Sequence, residues 1–131
     1  MNSVSGMGTF SMIADPYTDR FARVRDRFAK SLAGKIDQTC ASVPTLSGLT
    51  PAAAAAVAEV YRCVHGIVGV GPTVGFLASG NAAHAVEDVL RPAQQQCRGL
   101  TADEILLLTK TLDVLREAAA RELQSFRSLP S

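Results

Sequence analysis

Apolar residues in this chain recur at helical spacing in four separate stretches, and proline and glycine punctuate the pattern between them. The first stripe is Phe21, Val24, Phe28, Leu32 and Ile36, opening after Asp15-Pro16. Pro44 and Ser47-Gly48 mark a loop, and Thr50-Pro51 reads as an N-cap with proline at the first helical position. From there Ala52–Ala56, Val57, Val60 or Tyr61, Val64 and Val68 lead to a break at Pro72 and Gly75. A third helix is predicted from about Phe76 to Gln96, with Phe76, Ala83, Val86 and Leu90 inward, and Pro92 is expected to kink or shorten it. Thr101-Ala-Asp-Glu104 matches a capping box, and Ile105, Leu108, Leu112, Leu115, Ala119, Leu123 and Phe126 follow it. No such helix can bury its stripe alone. The expected fold is all-α, an antiparallel four-helix bundle over residues 15–131, preceded by a Gly/Ser/Met-rich flexible leader over residues 1–14.

Composition agrees with helices and removes several function classes. Alanine is abundant, tryptophan is absent, and strand-forming aromatics are few. A formal net charge of +1 gives no electrostatic case for nucleic acid or an anionic membrane. Arg20, Arg23, Arg27 and Lys30 share the outer face of the first helix and read as a solvated surface, partly balanced by Asp19 and Asp26. Cys40, Cys63 and Cys97 are odd in number and form no CxxC pair, which reads as buried thiols in a reducing compartment. The first residues lack the basic and long apolar regions of a signal peptide. Glu59, Arg62 and several glycines interrupt the best candidate for a membrane span, so a soluble cytoplasmic protein is expected.

Within the second helix, His65 is followed by Gly66, and Gly69 lies one turn further on the same face. Glycine inside a helix costs roughly 0.5–1 kcal/mol relative to alanine, so two beside a histidine indicate clearance for something large. An accessible imidazole suits a metal ligand, a general base or a phosphoryl acceptor. In a helical hairpin turning near Phe76, the residue opposite His65 is Glu87. A carboxylate there accepts the Nδ1–H bond, fixes the tautomer and leaves Nε2 free. Arg91 lies one turn beyond Glu87, and Arg62 one turn before His65. Two cations suit a nitrogen that carries a phosphoryl group, which adds about −1.5 to −2 charge. His84, three residues before Glu87, reads as a surface histidine near the site.

Other chemistries fit less well. Cys63, His65, His84 and Cys97 lack zinc-ligand spacings, and positions 63 and 65 point to different helix faces. GVGPTVG has neither the Lys-Ser/Thr of a phosphate loop nor a preceding strand.

At His65, Gly69, Gly75 and Glu87 the chain resembles the histidine-containing phosphotransfer (Hpt) domains of two-component phosphorelays. That family places a glycine four residues after its phosphorylated histidine, a second glycine six residues later, and a Gln or Glu facing the histidine from the next helix. The resemblance implies a four-helix phosphocarrier without turnover of its own. His65 would take a phosphoryl group from the aspartate of one receiver domain and pass it to another. Its partners would be response-regulator receivers and a hybrid histidine kinase, with Mg²⁺ on the receiver and no metal or cofactor on this chain. Tyr61, Arg62, Gly66, Val68 and Gly69 would meet the receiver. Members commonly carry lysine where this chain has Val68. Arg62 and Arg91 are then expected to supply part of its charge. The same departure keeps a second expectation open, a phosphorylation-silent bundle that binds or sequesters a receiver or kinase.

Overall fold

The computed structural model describes residues 16–128, all-helical with four long helices. The expected leader, residues 1–14, lies outside them. Helix α1 spans Pro16–Ser42 and runs into a 3₁₀ turn, Val43–Thr45. Helix α2 spans Pro51–Val70, a second 3₁₀ turn covers Pro72–Val74, α3 spans Leu77–Gln95 and α4 spans Ala102–Arg127.

Each helix start has a local cause. The Thr50 hydroxyl accepts from the Ala53 amide at 3.1 Å, and Pro51 removes one donor that would otherwise lack a partner. At α4, Thr101 accepts from the Glu104 amide at 3.1 Å while Glu104 accepts from the Thr101 amide at 2.9 Å, a complete capping box. Helix α3 has no cap of its own, because Phe76 offers no acceptor. Glu122 of α4 supplies it instead, accepting from the amides of Ala78 and Ser79 and from the Ser79 hydroxyl at 2.7–3.0 Å. A carboxylate at that end also complements the helix dipole. Pro92 does not end α3, which continues to Gln95. The chain turns at Cys97, whose φ of 53° closes the helix in a left-handed conformation.

Cross-helix pairs show how the stripes meet. Pro72 lies against Gly80 and His65 against Glu87; Arg25 lies over Phe126 and Asp37 near Arg116. In each set one number falls as the other rises, so α2 with α3, and α1 with α4, run in opposite directions. At one end the Leu100 amide donates to the Leu46 carbonyl at 2.8 Å, tying the α1–α2 and α3–α4 loops together. Leu32, Val57, Val64, Ile67, Ala83, Val86, Leu90, Leu108 and Leu115 are fully buried between the helices. Each Val, Leu or Ile so buried contributes roughly 1.5–3 kcal/mol. At the opposite end Phe28, Phe76 and Phe126 form an aromatic cluster with centroids 5.2 and 5.9 Å apart.

Three expectations change. Phe21 and Val24 are exposed rather than part of the core. Helix α4 ends level with Arg25 and the α2–α3 turn lies level with Phe28, so the first turns of α1 reach past their neighbours. Cys97 is exposed, since it forms the loop after α3, whereas Cys40 and Cys63 are half-buried. The stretch Pro51–Val74 is long and apolar enough to cross a membrane, with a mean hydropathy of 1.3, despite Glu59 and Arg62. Its apolar stripe, Ala53, Val57, Val60, Val64 and Ile67, packs inside the bundle.

The α3–α4 junction carries a measurable electrostatic contribution. Arg98 grips both oxygens of Glu104 at 2.8 and 3.0 Å. This bond, aided by Thr101 and opposed by burial, holds the Glu104 carboxyl at about 2 against an ordinary 4.5. A folded-state value below the unfolded one stabilises fully above about 4.5 and is lost as the pH falls through about 2. Glu104→Gln is expected to lose on the order of 2 kcal/mol at neutral pH. Urea denaturation across pH should show the gap to the parent protein narrowing through that acid window; a gap independent of pH would refute the assignment.

Candidate functional site

The site is a pair of side chains in opposite environments. His65 stands on the outer side of α2 with its side chain 66% exposed, and its Nδ1 bonds to Oε2 of Glu87 from α3. The Glu87 side chain is only 5% exposed, on the α3 face that also carries Ala83, Val86 and Leu90. A carboxylate taken out of water costs several kcal/mol unless its oxygens find donors. His65 serves one oxygen, and Nη2 of Arg91 lies 3.4 Å from the other. Nδ1 therefore donates, and Nε2 has no bonding partner among the described residues. The lone pair of an otherwise immobilised imidazole is left facing solvent.

Tyr61, one turn earlier, stacks on the imidazole with the rings 10° from parallel and centroids 6.0 Å apart. It is half-buried and leans on the core. The ring is thus held from α3 by a hydrogen bond and from its own helix by an aromatic face. This stacking is a contact in addition to the docking expected of Tyr61.

Of the two expected cations, the structure brings Arg91 to the pair. Its guanidinium bonds to Asp88 through Nη1 and approaches Glu87 through Nη2. Asp88 first, and then Tyr61, push the arginine further toward its charged form. Arg62 stands on the other flank of His65, 69% exposed, with Glu59 at 3.5 Å as its partner, beside a groove between α1 and α2. His84 sits on the outer side of α3, its Nδ1 3.4 Å from Asp88. No three His, Cys, Asp or Glu residues cluster as a metal site among the described residues.

The glycines divide by purpose. A Cβ at Gly80 would come within 2.4 Å of the Pro72 ring, so the fold requires glycine there. At Gly66 and Gly69 a Cβ would meet nothing within 4 Å. Both lie exposed beside His65, and the fold has no need of either. Gly75, the other glycine of the expected motif, ends the turn with φ of 95°. Val68 is half-buried, packed against the core on the side of His65 nearer α3.

Sequence reasoning missed Asp88, which joins Arg91 to His84. Its signal was present as helical spacing, three residues before one and four after the other. Comparison with protein-family models, curated proteins and solved structures found no match.

Glu87→Ala is expected to release the tautomer of His65. In ¹⁵N NMR at a pH where the ring is neutral, the parent protein should show a protonated Nδ1 and bare Nε2, and the variant the exchanging mixture of a free imidazole. An unchanged tautomer in the variant would remove Glu87 from that role.

Proposed function

We propose that this chain is an antiparallel four-helix histidine phosphotransfer protein, carrying a phosphoryl group on Nε2 of His65 between receiver aspartates in a cytoplasmic phosphorelay. The observation that carries the reading is the exposed imidazole whose Nδ1 is held by a buried carboxylate of the neighbouring helix. A histidine that only satisfied this carboxylate would have no need of a side chain 66% exposed with its Nε2 left without a partner among the described residues. The open helix face at Gly66 and Gly69 adds to it, since two helix-weakening residues without a packing role leave room for a docking domain.

The chemistry follows from the geometry. Nε2 attacks the phosphorus of a receiver's aspartyl phosphate in line with the leaving oxygen. The P–N bond forms, the P–O bond breaks, and the aspartate departs as a carboxylate. The imidazole gains positive charge in that step, and the Nδ1–H bond to Glu87 stabilises it; charge-assisted bonds of this kind contribute about 1.5–3 kcal/mol. Arg91, and Arg62 from the opposite flank, meet the incoming charge. Mg²⁺ and the remaining catalysis belong to the receiver, so this chain is a stoichiometric carrier rather than an enzyme.

Val68 favours one alternative. With no lysine beside the histidine, the same surface suits a phosphorylation-silent bundle that binds or sequesters a receiver or kinase. Incubation with a phosphorylated receiver separates the two. The carrier acquires acid-labile, base-stable label that His65→Gln abolishes, whereas tight receiver binding without label supports the silent bundle.

A second test addresses the clearance. Gly69→Leu is expected to melt within a few degrees of the parent, because nothing in the fold occupies that space. Its rate of phosphoryl gain from a receiver should nevertheless fall by about tenfold or more, the effect of losing roughly 1.4 kcal/mol of productive docking. Transfer at the parental rate would place the receiver elsewhere.

A further inference from the structure

Arg91 is not free to serve a phosphoryl group in the state described. Its Nη1 is bonded to Asp88, its Nη2 lies 3.4 Å from Glu87, and its side chain is 37% exposed. Glu87 is shared, because its other oxygen binds His65. The guanidinium and the imidazole thus sit on opposite oxygens of one carboxylate. Asp88 is different: it lies on the outer side of α3, 48% exposed, and makes no bond to His65. Its second oxygen faces Nδ1 of His84 at 3.4 Å. Asp88 therefore has a second positively chargeable partner in reach, one turn back along the same helix.

We propose that Asp88 is a latch on Arg91, occupying Nη1 of the guanidinium beside His65 until an anionic phosphoryl donor draws it off, with His84 as the partner Asp88 retains. The inference rests on the phosphocarrier reading of His65. A phosphoryl group brings two or three strong acceptor oxygens and about −1.5 to −2 charge, which outbids a single exposed carboxylate for a bidentate guanidinium. The Glu87 contact keeps Arg91 beside the imidazole during the exchange. Asp88 and His84 are positioning residues in this scheme, since neither touches the reacting nitrogen. Chemically, Nε2 takes the phosphoryl group: the P–N bond to His65 forms as the P–O bond to the receiver's aspartate breaks, and the aspartate leaves as a carboxylate.

A phosphorylated receiver, the donor that the carrier reading requires, tests the latch. The label on His65 is followed by ³¹P NMR in the parent, Asp88→Asn, Arg91→Ala and the double variant. Asp88→Asn should gain label about three- to tenfold faster, the range set by freeing one charge-assisted contact. Arg91→Ala should be slower than the parent, and the double variant as slow as Arg91→Ala alone. An Asp88→Asn rate equal to the parent's overturns the latch. So does an acceleration that persists without Arg91, because Asp88 would then act by its own charge. The failure of the underlying reading looks different. In that case the parent acquires no label that His65→Gln removes, and latch and carrier fall together. Thermal melting of all four proteins with matching transitions excludes unfolding as the cause of any rate change.

Discussion

The contact of Pro72 with Gly80 sets the register of the α2–α3 hairpin, and the site depends on that register. The Pro72 ring fills the space where any other residue at position 80 would place its Cβ. Two consequences follow from this close approach. Helix α3 begins immediately after the turn, with Glu122 of α4 capping its exposed amides. Its second turn onward then lies at a fixed height beside α2, so that Glu87 arrives opposite His65. A slip of one residue would rotate Glu87 by about 100° around the helix axis, and a slip of four would move it by about 6 Å. Either would separate the carboxylate from the imidazole. The site is therefore positioned by a proline and a glycine some way along the hairpin from it, and by a glutamate on a helix that never touches His65.

Burial gives that register its chemical meaning. Glu87 is the only carboxylate among the described residues that is buried. Helix α3 packs closely against both α2 and α4, whereas α1 touches its neighbours more sparsely. A carboxylate placed in the closely packed layer must be matched by donors, and His65 and Arg91 are the two within reach. The demand acts in one direction. The exposed imidazole does not need the carboxylate for its own solvation, but the carboxylate needs the imidazole. An orienting bond enforced by desolvation holds the imidazole in place in the protein by itself.

Most of this was legible in the sequence because helical spacing carries it. The four elements, and the caps of α2 and α4, followed from Thr50-Pro51, Thr101 with Glu104, and steps of three and four between apolar residues, whereas the Glu122 cap of α3 did not. The facing of His65 and Glu87 followed from counting outward from one turn. What escaped depended on where helices end in space. Phe21 and Val24 continue the α1 stripe perfectly well, yet α4 stops before it reaches them. Cys97 looked apolar and buried, and instead serves as the left-handed closing residue of α3. Arg62 and Arg91 were equivalent by spacing, but only Arg91 finds the carboxylates of α3, while Arg62 turns to Glu59.

Under the proposed phosphocarrier role, the asymmetry between those arginines bears on how the site would manage without lysine at position 68. A lysine there would share the Val68 flank of His65, on the side nearer α3. Val68 instead packs against the core, and the charge comes across the helix–helix interface from Arg91. An arginine anchored on the facing helix is constrained by every contact that fixes α3, and under that proposal it would meet a phosphoryl group with a planar fork rather than a mobile point charge. The same anchoring ties it to Asp88 and Glu87 when no phosphoryl group is present. A cation supplied this way is more precisely placed and less freely available than a lysine. Under that proposal its availability would be set by the carboxylates of α3 rather than by the helix that bears the histidine.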